Sequence, residues 1–336
     1  MSRGITRRRV LQGLVGGLVF SALVKAEAVS WPAYAYRSAA FSRFLEDSYA
    51  LAPALTPPFR AWLETRYQQR FGVPLPVALR ERRVLLQRGG ADAARKTALW
   101  LHRTVKAVIP RFSLERGFEF FNAVRLGERQ CLLQSVLIAG LLQEVGLEAG
   151  VVMVWRNPQG QESNLGHATA LLRLPDGAQV LVDASEPTPF TPHQGLYLWD
   201  ALDRSYRFVE ARFDDQGQVQ AYTRLDNGRP LPFAQAFPMD VAFLRSQFSY
   251  YRGERAPGGF LGPSTPEGLA TSARFLEQAV QLQPQNPLAV YVLGHVYRKQ
   301  GRLEAAKQQF RQGYQLYQAQ GHLPPGPQQA LAWALS

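Results

Sequence analysis

Cysteine is almost absent, with Cys131 the single one in 336 residues. One thiol excludes an intramolecular disulfide framework and any zinc or iron–sulfur site built on several cysteines of one chain. A long membrane-type run is missing near the start, where the apolar stretch from Leu14 to Val24 is too short to span a bilayer comfortably. Acidic side chains are scarce beside basic ones, 26 against 38, for a formal charge of +12. The deficit is regional: residues 60–129 hold fifteen basic and six acidic residues, whereas residues 130–336 hold sixteen and seventeen. Nucleic acid is not expected among the partners. The basic segment instead reads as a solvated face that can rest against an anionic envelope surface of phospholipid or lipopolysaccharide phosphates.

Hydrophobic residues make up 46% of the chain, enough for a sizeable core at about two domains' length. Residues 1–28 read as a targeting segment. Thr6, Arg7, Arg8, Arg9, Val10, Leu11 and Gln12 resemble the twin-arginine export motif, and the apolar run follows. Ala26, Glu27 and Ala28 offer a small-x-small cleavage site, with Ala33, Tyr34 and Ala35 as a second. The expectation is a folded periplasmic or extracytoplasmic protein, with a retained membrane anchor as the alternative to cleavage.

The body divides by texture. Residues 38–126 are helical in character, punctuated by Pro57, Pro58, Pro74, Pro76 and Gly89-Gly90. Ala94, Ala98, Leu101, Val105 and Val108 predict an amphipathic helix over residues 93–109, stopped by Pro110. From Leu132 to Leu142 the chain is apolar nearly all round, which predicts a central buried helix ending near Gly146. Three strand-like runs follow, at residues 149–155, 168–174 and 179–183, so the class is α+β. Residues 187–265 show strand and turn pieces near Tyr206 to Phe213 and Gln218 to Leu225, without firm boundaries or legible chemistry. In residues 266–336, Leu293, Gly294, Tyr297, Gly301, Ala306, Phe310, Gly313 and Leu316 resemble the tetratricopeptide family, a helical repeat of about 34 residues. The same offset upstream gives Leu276, Ala279 and Leu282, and a terminal helix near Gln328 to Leu335 covers the open face. Too short to stand alone, this module is expected to dock on the rest and to offer a surface for a protein partner.

The chemistry falls on Cys131, His167 and Asp183. Cys131 starts the buried helix, where unpaired N–H groups and the dipole favour the thiolate. His167 heads one strand and Asp183 closes the next. His102, His193, His295 and His322 lack partners at motif spacing and read as structural or solvent-facing. Gln130-Cys131, the helix through Leu141-Leu142, Val145 to Ala149, Gly166-His167-Ala168 and Val182 to Ser185 resemble the transglutaminase-like cysteine protease superfamily.

That resemblance spans residues 130–185 and implies a papain-like core, a central helix on an antiparallel sheet, with a Cys131-His167-Asp183 triad. It implies acyl transfer from an amide of a protein or peptide substrate to Cys131, then to water as a peptidase or amidase, or to an amine as a transamidase. No cofactor is expected. Zinc held by Cys131, His167 and Asp183 is chemically conceivable, but a cysteine at a helix start suits a nucleophile better. The family's glycine before the cysteine, aromatic after the histidine and proline after the aspartate are replaced by Arg129, Thr169 and Ala184. Arg129 supports a competing reading, a non-catalytic scaffold with an obstructed cleft that grips a peptide through its repeat.

Strand parity adds a condition. A two-residue turn at Asp176-Gly177 sets His167 and Asp183 on opposite faces of the hairpin, so the triad needs an odd connection. A three-residue loop Pro175-Asp176-Gly177 pairs Leu174 with Ala178 and puts Asp183 opposite Thr169, on one face with His167 and Leu171.

Overall fold

A serine cap opens the first helix of the described residues: Ser38 Oγ accepts the Phe41 N–H, and α1 (Ala39–Tyr49) buries Phe41 and Phe44. The computed structural model describes residue 1, residues 30–52, residue 54 and residues 56–336. The export motif at residues 6–12, the apolar run and the first cleavage site lie outside the described residues. Among the described residues no helix is long and apolar enough to cross a membrane.

Two prolines precede α2 (Phe59–Phe71), which ends at Gly72 in the left-handed region. The long α3 (Leu75–Val108) contains the amphipathic helix expected over residues 93–109. The Gly89-Gly90 pair is a kink within it, with Gly90 at φ 53°. Beyond Pro110, β1 (Arg111–Phe112) and β2 (Glu128–Arg129) run parallel on either side of α4 (Phe120–Leu126). This clip delivers the chain to the start of α5 (Cys131–Glu144), the buried helix expected from composition. Leu132 to Leu142 are all buried, so α5 has no solvent face.

The strands are β3 (Glu148–Arg156), β4 (Glu162–Arg173), β5 (Gln179–Val182), β6 (Gly195–Asp200), β7 (Ser205–Phe213) and β8 (Gln218–Arg224). Their order is β6-β3-β4-β5-β8-β7, and β7 pairs again with β6, so the sheet expected from sequence closes into a six-stranded antiparallel barrel. Closure removes the open edges an isolated sheet presents. β9 (Pro230–Leu231) extends β8, and β10 (Ala236–Phe237) continues the edge of β6 past β3. The molecule is thus a mixed α and β structure, with α5 packed on β3 and β4 and tied to β4 by Ser135 Oγ donating to the Ala168 carbonyl.

The β4–β5 hairpin has the required odd loop. The Leu174 N–H donates to the Ala178 carbonyl at 2.7 Å, and Ala170 pairs with Val182 and Leu171 with Leu181. Gly177 closes the loop at φ 88°, which favours glycine.

Helix α6 (Val241–Glu254) leads to α7 (Pro266–Leu282), α8 (Pro287–Lys299), α9 (Leu303–Gln320) and α10 (Pro325–Leu335). The small and large residues seen in sequence meet here: a Cβ on Gly294 would lie 2.7 Å from the Phe310 ring, so α8 and α9 need glycine to approach. The module docks as expected. Ser246 Oγ donates to the Ala279 carbonyl, Tyr317 Oη to Asn164 Oδ1 at 2.7 Å, and Tyr197 Oη to Gln320 Oε1 at 3.0 Å. The stretches 38–126, 127–265 and 266–336 share a single core running from Trp31 to Ala334.

Candidate active site

Cys131 is the first residue of α5. Gln130 caps the helix in an extended conformation, its Oε1 accepting the Leu132 N–H at 3.1 Å. The thiol therefore sits at the positive end of a helix whose first N–H groups face outward along its axis. It lies beside the imidazole of His167 on β4, and Cys131 is only 1% exposed while the His167 side chain keeps 24%.

Asp183 follows directly after β5 and is fully buried. His167 Nε2 and Asp183 Oδ2 are 2.6 Å apart, which leaves Nδ1 as the ring nitrogen for the thiol. The odd loop is the cause, because it turns Asp183 to the face His167 occupies. The structure thus brings Cys131, His167 and Asp183 together.

Residues outside the motif complete the arrangement. His193, in the loop before β6, is buried and places its Nε2 2.8 Å from Asp183 Oδ2. This corrects the expectation that His193 lacks a partner, and also the view that residues 187–265 hold no chemistry. Its sequence signal is weak: it shares with Asp183 a loop turned back by Pro187, Pro189 and Pro192, and no periodicity marks it. The Ser185 N–H donates to Asp183 Oδ1 at 2.8 Å, and the Asp183 N–H donates to the Pro189 carbonyl. Tyr251 of α6, buried and stacked on Phe118, donates its hydroxyl to the Gly166 carbonyl at 3.4 Å, near Gln130 and Cys131. Nothing in sequence links Tyr251 to the motif.

The electrostatics follow from burial and contact. Burial alone lowers His167 and raises Asp183, but the pair's attraction and hydrogen bond outweigh it. His167 stands well above its usual range and Asp183 well below the usual carboxylate range, His193 adding to the latter. Burial first, and the neighbouring Cys131 second, push the Tyr251 hydroxyl well above its ordinary value.

Arg129 is turned inward. Its guanidinium donates to the Ile109 carbonyl at 2.6 Å and to Gln134 Oε1 at 3.0 Å, and Gln134 Nε2 donates to Ser185 Oγ. It anchors the chain before Cys131 and ends a network that reaches Asp183. The other histidines are structural: His102 contacts the Glu186 carbonyl, His295 packs on Phe310, and His322 packs on Trp155.

His167, Asp183 and His193 offer nitrogen and oxygen atoms within 4.8 Å of one another, a set able to ligate a metal ion. Both Nε2 atoms, however, converge on the same carboxylate oxygen at hydrogen-bond distance, so an ion would have to displace two bonds. Cys131 is not in that set, so the zinc grouping of Cys131, His167 and Asp183 is not the one the structure assembles.

No family model and no curated protein matches the chain. Among solved structures, it is similar to a crystal structure of menin that describes the binding site for the Mixed Lineage Leukemia (MLL) protein. The TM-score is 0.40 at 12% identity, covering 91% of this chain and 67% of that one.

Proposed function

We propose that the protein is a cysteine-dependent acyltransferase of the transglutaminase-like, papain-like class, acting on an amide of a protein or peptide. The observation that carries this reading is the convergence of a helix-start thiol, an imidazole with a raised pKa and a buried carboxylate 2.6 Å from that imidazole. His167 Nδ1 takes the Cys131 proton, and the thiolate forms a bond to the amide carbonyl carbon. The Cys131 N–H, unpaired within its helix, is placed to meet the resulting oxyanion. As the C–N bond breaks, the imidazolium returns the proton to the leaving amine and a thioester remains. Water, deprotonated by His167, then releases an acid; an amine in its place gives transamidation. Asp183 holds the ring with Nε2 protonated and stabilises the imidazolium.

An activated ester tests this without knowledge of the substrate. Nitrophenyl acetate is expected to add one acetyl to Cys131, seen by intact mass. Cys131→Ala and His167→Ala should each abolish the adduct, and the double variant should lose no more. Equal acetylation of His167→Ala and the native protein would refute the triad.

The burial of Cys131 favours a second reading, a scaffold that keeps the fold without turnover, and the same assay separates them: no adduct on the intact protein selects the scaffold. The C-terminal helices would in either case be a tetratricopeptide-like module. We place the mature protein in the periplasm through the twin-arginine route, which reads paired guanidinium groups. Lysine at both Arg7 and Arg8 is expected to hold full-length precursor in the cytoplasm, and unchanged periplasmic recovery would exclude this route.

A further inference from the structure

Three recesses join along the face formed by α2, the end of α3 and the turn after α4. One of about 430 Å³ lies among Trp62, Arg66, Arg111 and Arg125. A smaller one of about 160 Å³ continues from Arg66 past Arg70 to Ala107. A third of about 500 Å³ runs from Ala107 past Arg103 and Lys106 to the turn at Pro187 and Pro189. Arg66 and Ala107 each line two of them, so they form one groove.

Arg66, Arg70, Arg103, Lys106, Arg111 and Arg125 stand along it, and no Asp or Glu lines any part. Of the nearby carboxylates, Glu64 pairs with Arg37 and Glu128 with Arg116, while Glu186 flanks the last recess beside Lys106, whose Nζ donates to its carbonyl. The five arginines form no ion pair among the described residues, although Glu128 lies beside Arg111 in the β1–β2 pair. Like charges gathered at close quarters raise the local potential and favour a ligand that neutralises them.

We infer that this groove binds an extended, acidic stretch of polypeptide. Guanidinium forks match carboxylates two bonds at a time, which suits arginine over lysine here. The groove is recessed, whereas a bilayer offers its phosphates as a plane and meets protruding side chains. Single-stranded nucleic acid needs a succession of stacking rings, and the lining has only Trp62 and His102, at opposite ends. The last wall is the turn whose Pro189 carbonyl accepts the Asp183 N–H at 2.9 Å, so a bound chain would lie along the outside of the loop that carries Asp183. This inference stands apart from the acyl-transfer reading.

The test uses the full chain and a fluorescein-labelled Glu/Ala peptide of about ten residues, long enough to run along the groove. Saturable binding is expected, weakening steeply between about 0.05 M and about 0.3 M salt. The triple variant Arg70→Ala, Arg103→Ala, Arg111→Ala should bind at least about tenfold more weakly, since each alanine removes one fork. A control removing the same charge elsewhere, Arg43→Ala, Arg80→Ala, Arg88→Ala, should change binding little. Equal loss in both variants would reduce the effect to net charge and overturn the site. So would binding of phosphatidylglycerol vesicles without the peptide, or no saturable peptide binding.

Discussion

Asp183 is held by more hydrogen bonds than a triad requires. His167 Nε2 and His193 Nε2 meet Oδ2 at 2.6 and 2.8 Å, and the Ser185 N–H meets Oδ1 at 2.8 Å. Three donors on a buried carboxylate keep it ionised and fix its plane, so His193 is a positioning residue. His193→Phe strips one donor while keeping a ring in place. It is expected to destabilise the fold by about 1–3 kcal/mol and to slow Cys131 acetylation. His193→Gln, which keeps an N–H, should restore part of the acetylation rate at matched stability. If both variants acetylate as the native protein does, His193 only fills space.

The same pair governs stability against pH. His167 is raised in the fold, so its contribution is complete below its ordinary 6.5 and is lost as pH climbs through the raised value. Asp183 is depressed, so its contribution is complete above its ordinary 3.8 and is lost as pH falls toward the depressed value. In a Cys131→Ala background, the stability advantage over His167→Asn should be largest between pH 3.8 and 6.5 and fall on both sides. A difference flat from pH 4 to 9, measured by urea unfolding, would deny the pair its charged form.

The β4–β5 hairpin decides whether the site exists at all. Its three-residue loop fixes which face Asp183 occupies, and parity made this legible beforehand because alternation leaves two outcomes and only one brings the carboxylate to the imidazole. Deleting Asp176 turns the connection into an even one. We expect acetylation to fall by about 100-fold or more, since the carboxylate leaves the ring. Asp176→Ala loses only the contact from Asp176 Oδ1 to the Ala178 N–H and should keep most of the rate. An active deletion variant would disconnect the register from the chemistry.

Other elements were harder to read for physical reasons. Helix α5 announced itself because it is apolar on every side. Strand β6 is buried on both faces and so lacks alternation, and its pairing with β3, like that of β5 with β8, is non-local, which hid the closure of the barrel. Tyr251 is brought from α6 to the Gly166 carbonyl, next to His167, only by tertiary packing.

Across the whole molecule, one core ties the chain's ends to its centre. Near the start, the Tyr34 N–H donates to Gln143 Oε1 at 2.6 Å, Gln143 Nε2 donates to the Pro32 carbonyl, and Arg173 covers the Trp31 ring at 4.6 Å. The second cleavage site after Ala35 would discard these contacts. A chain starting at residue 36 should therefore be less stable than one starting at residue 29 by about 3 kcal/mol or more, from the apolar area of Trp31 and Tyr34. Equal urea midpoints would show this segment to be dispensable. Sequence keeps Ala33 to Ala35 as a second candidate after Ala26 to Ala28, because the core that cleavage there would break involves partners more than a hundred positions away.

The most direct measurement is the rate of Cys131 alkylation by iodoacetamide as a function of pH, read by intact mass for the native protein and His167→Ala. The account predicts fast labelling near pH 6 in the native protein, because His167, held well above its usual range, stands there as an imidazolium beside the sulfur. In the variant, labelling should be slow at that pH and rise only through the ordinary thiol range near about 8.5. Identical profiles for the two proteins would contradict it.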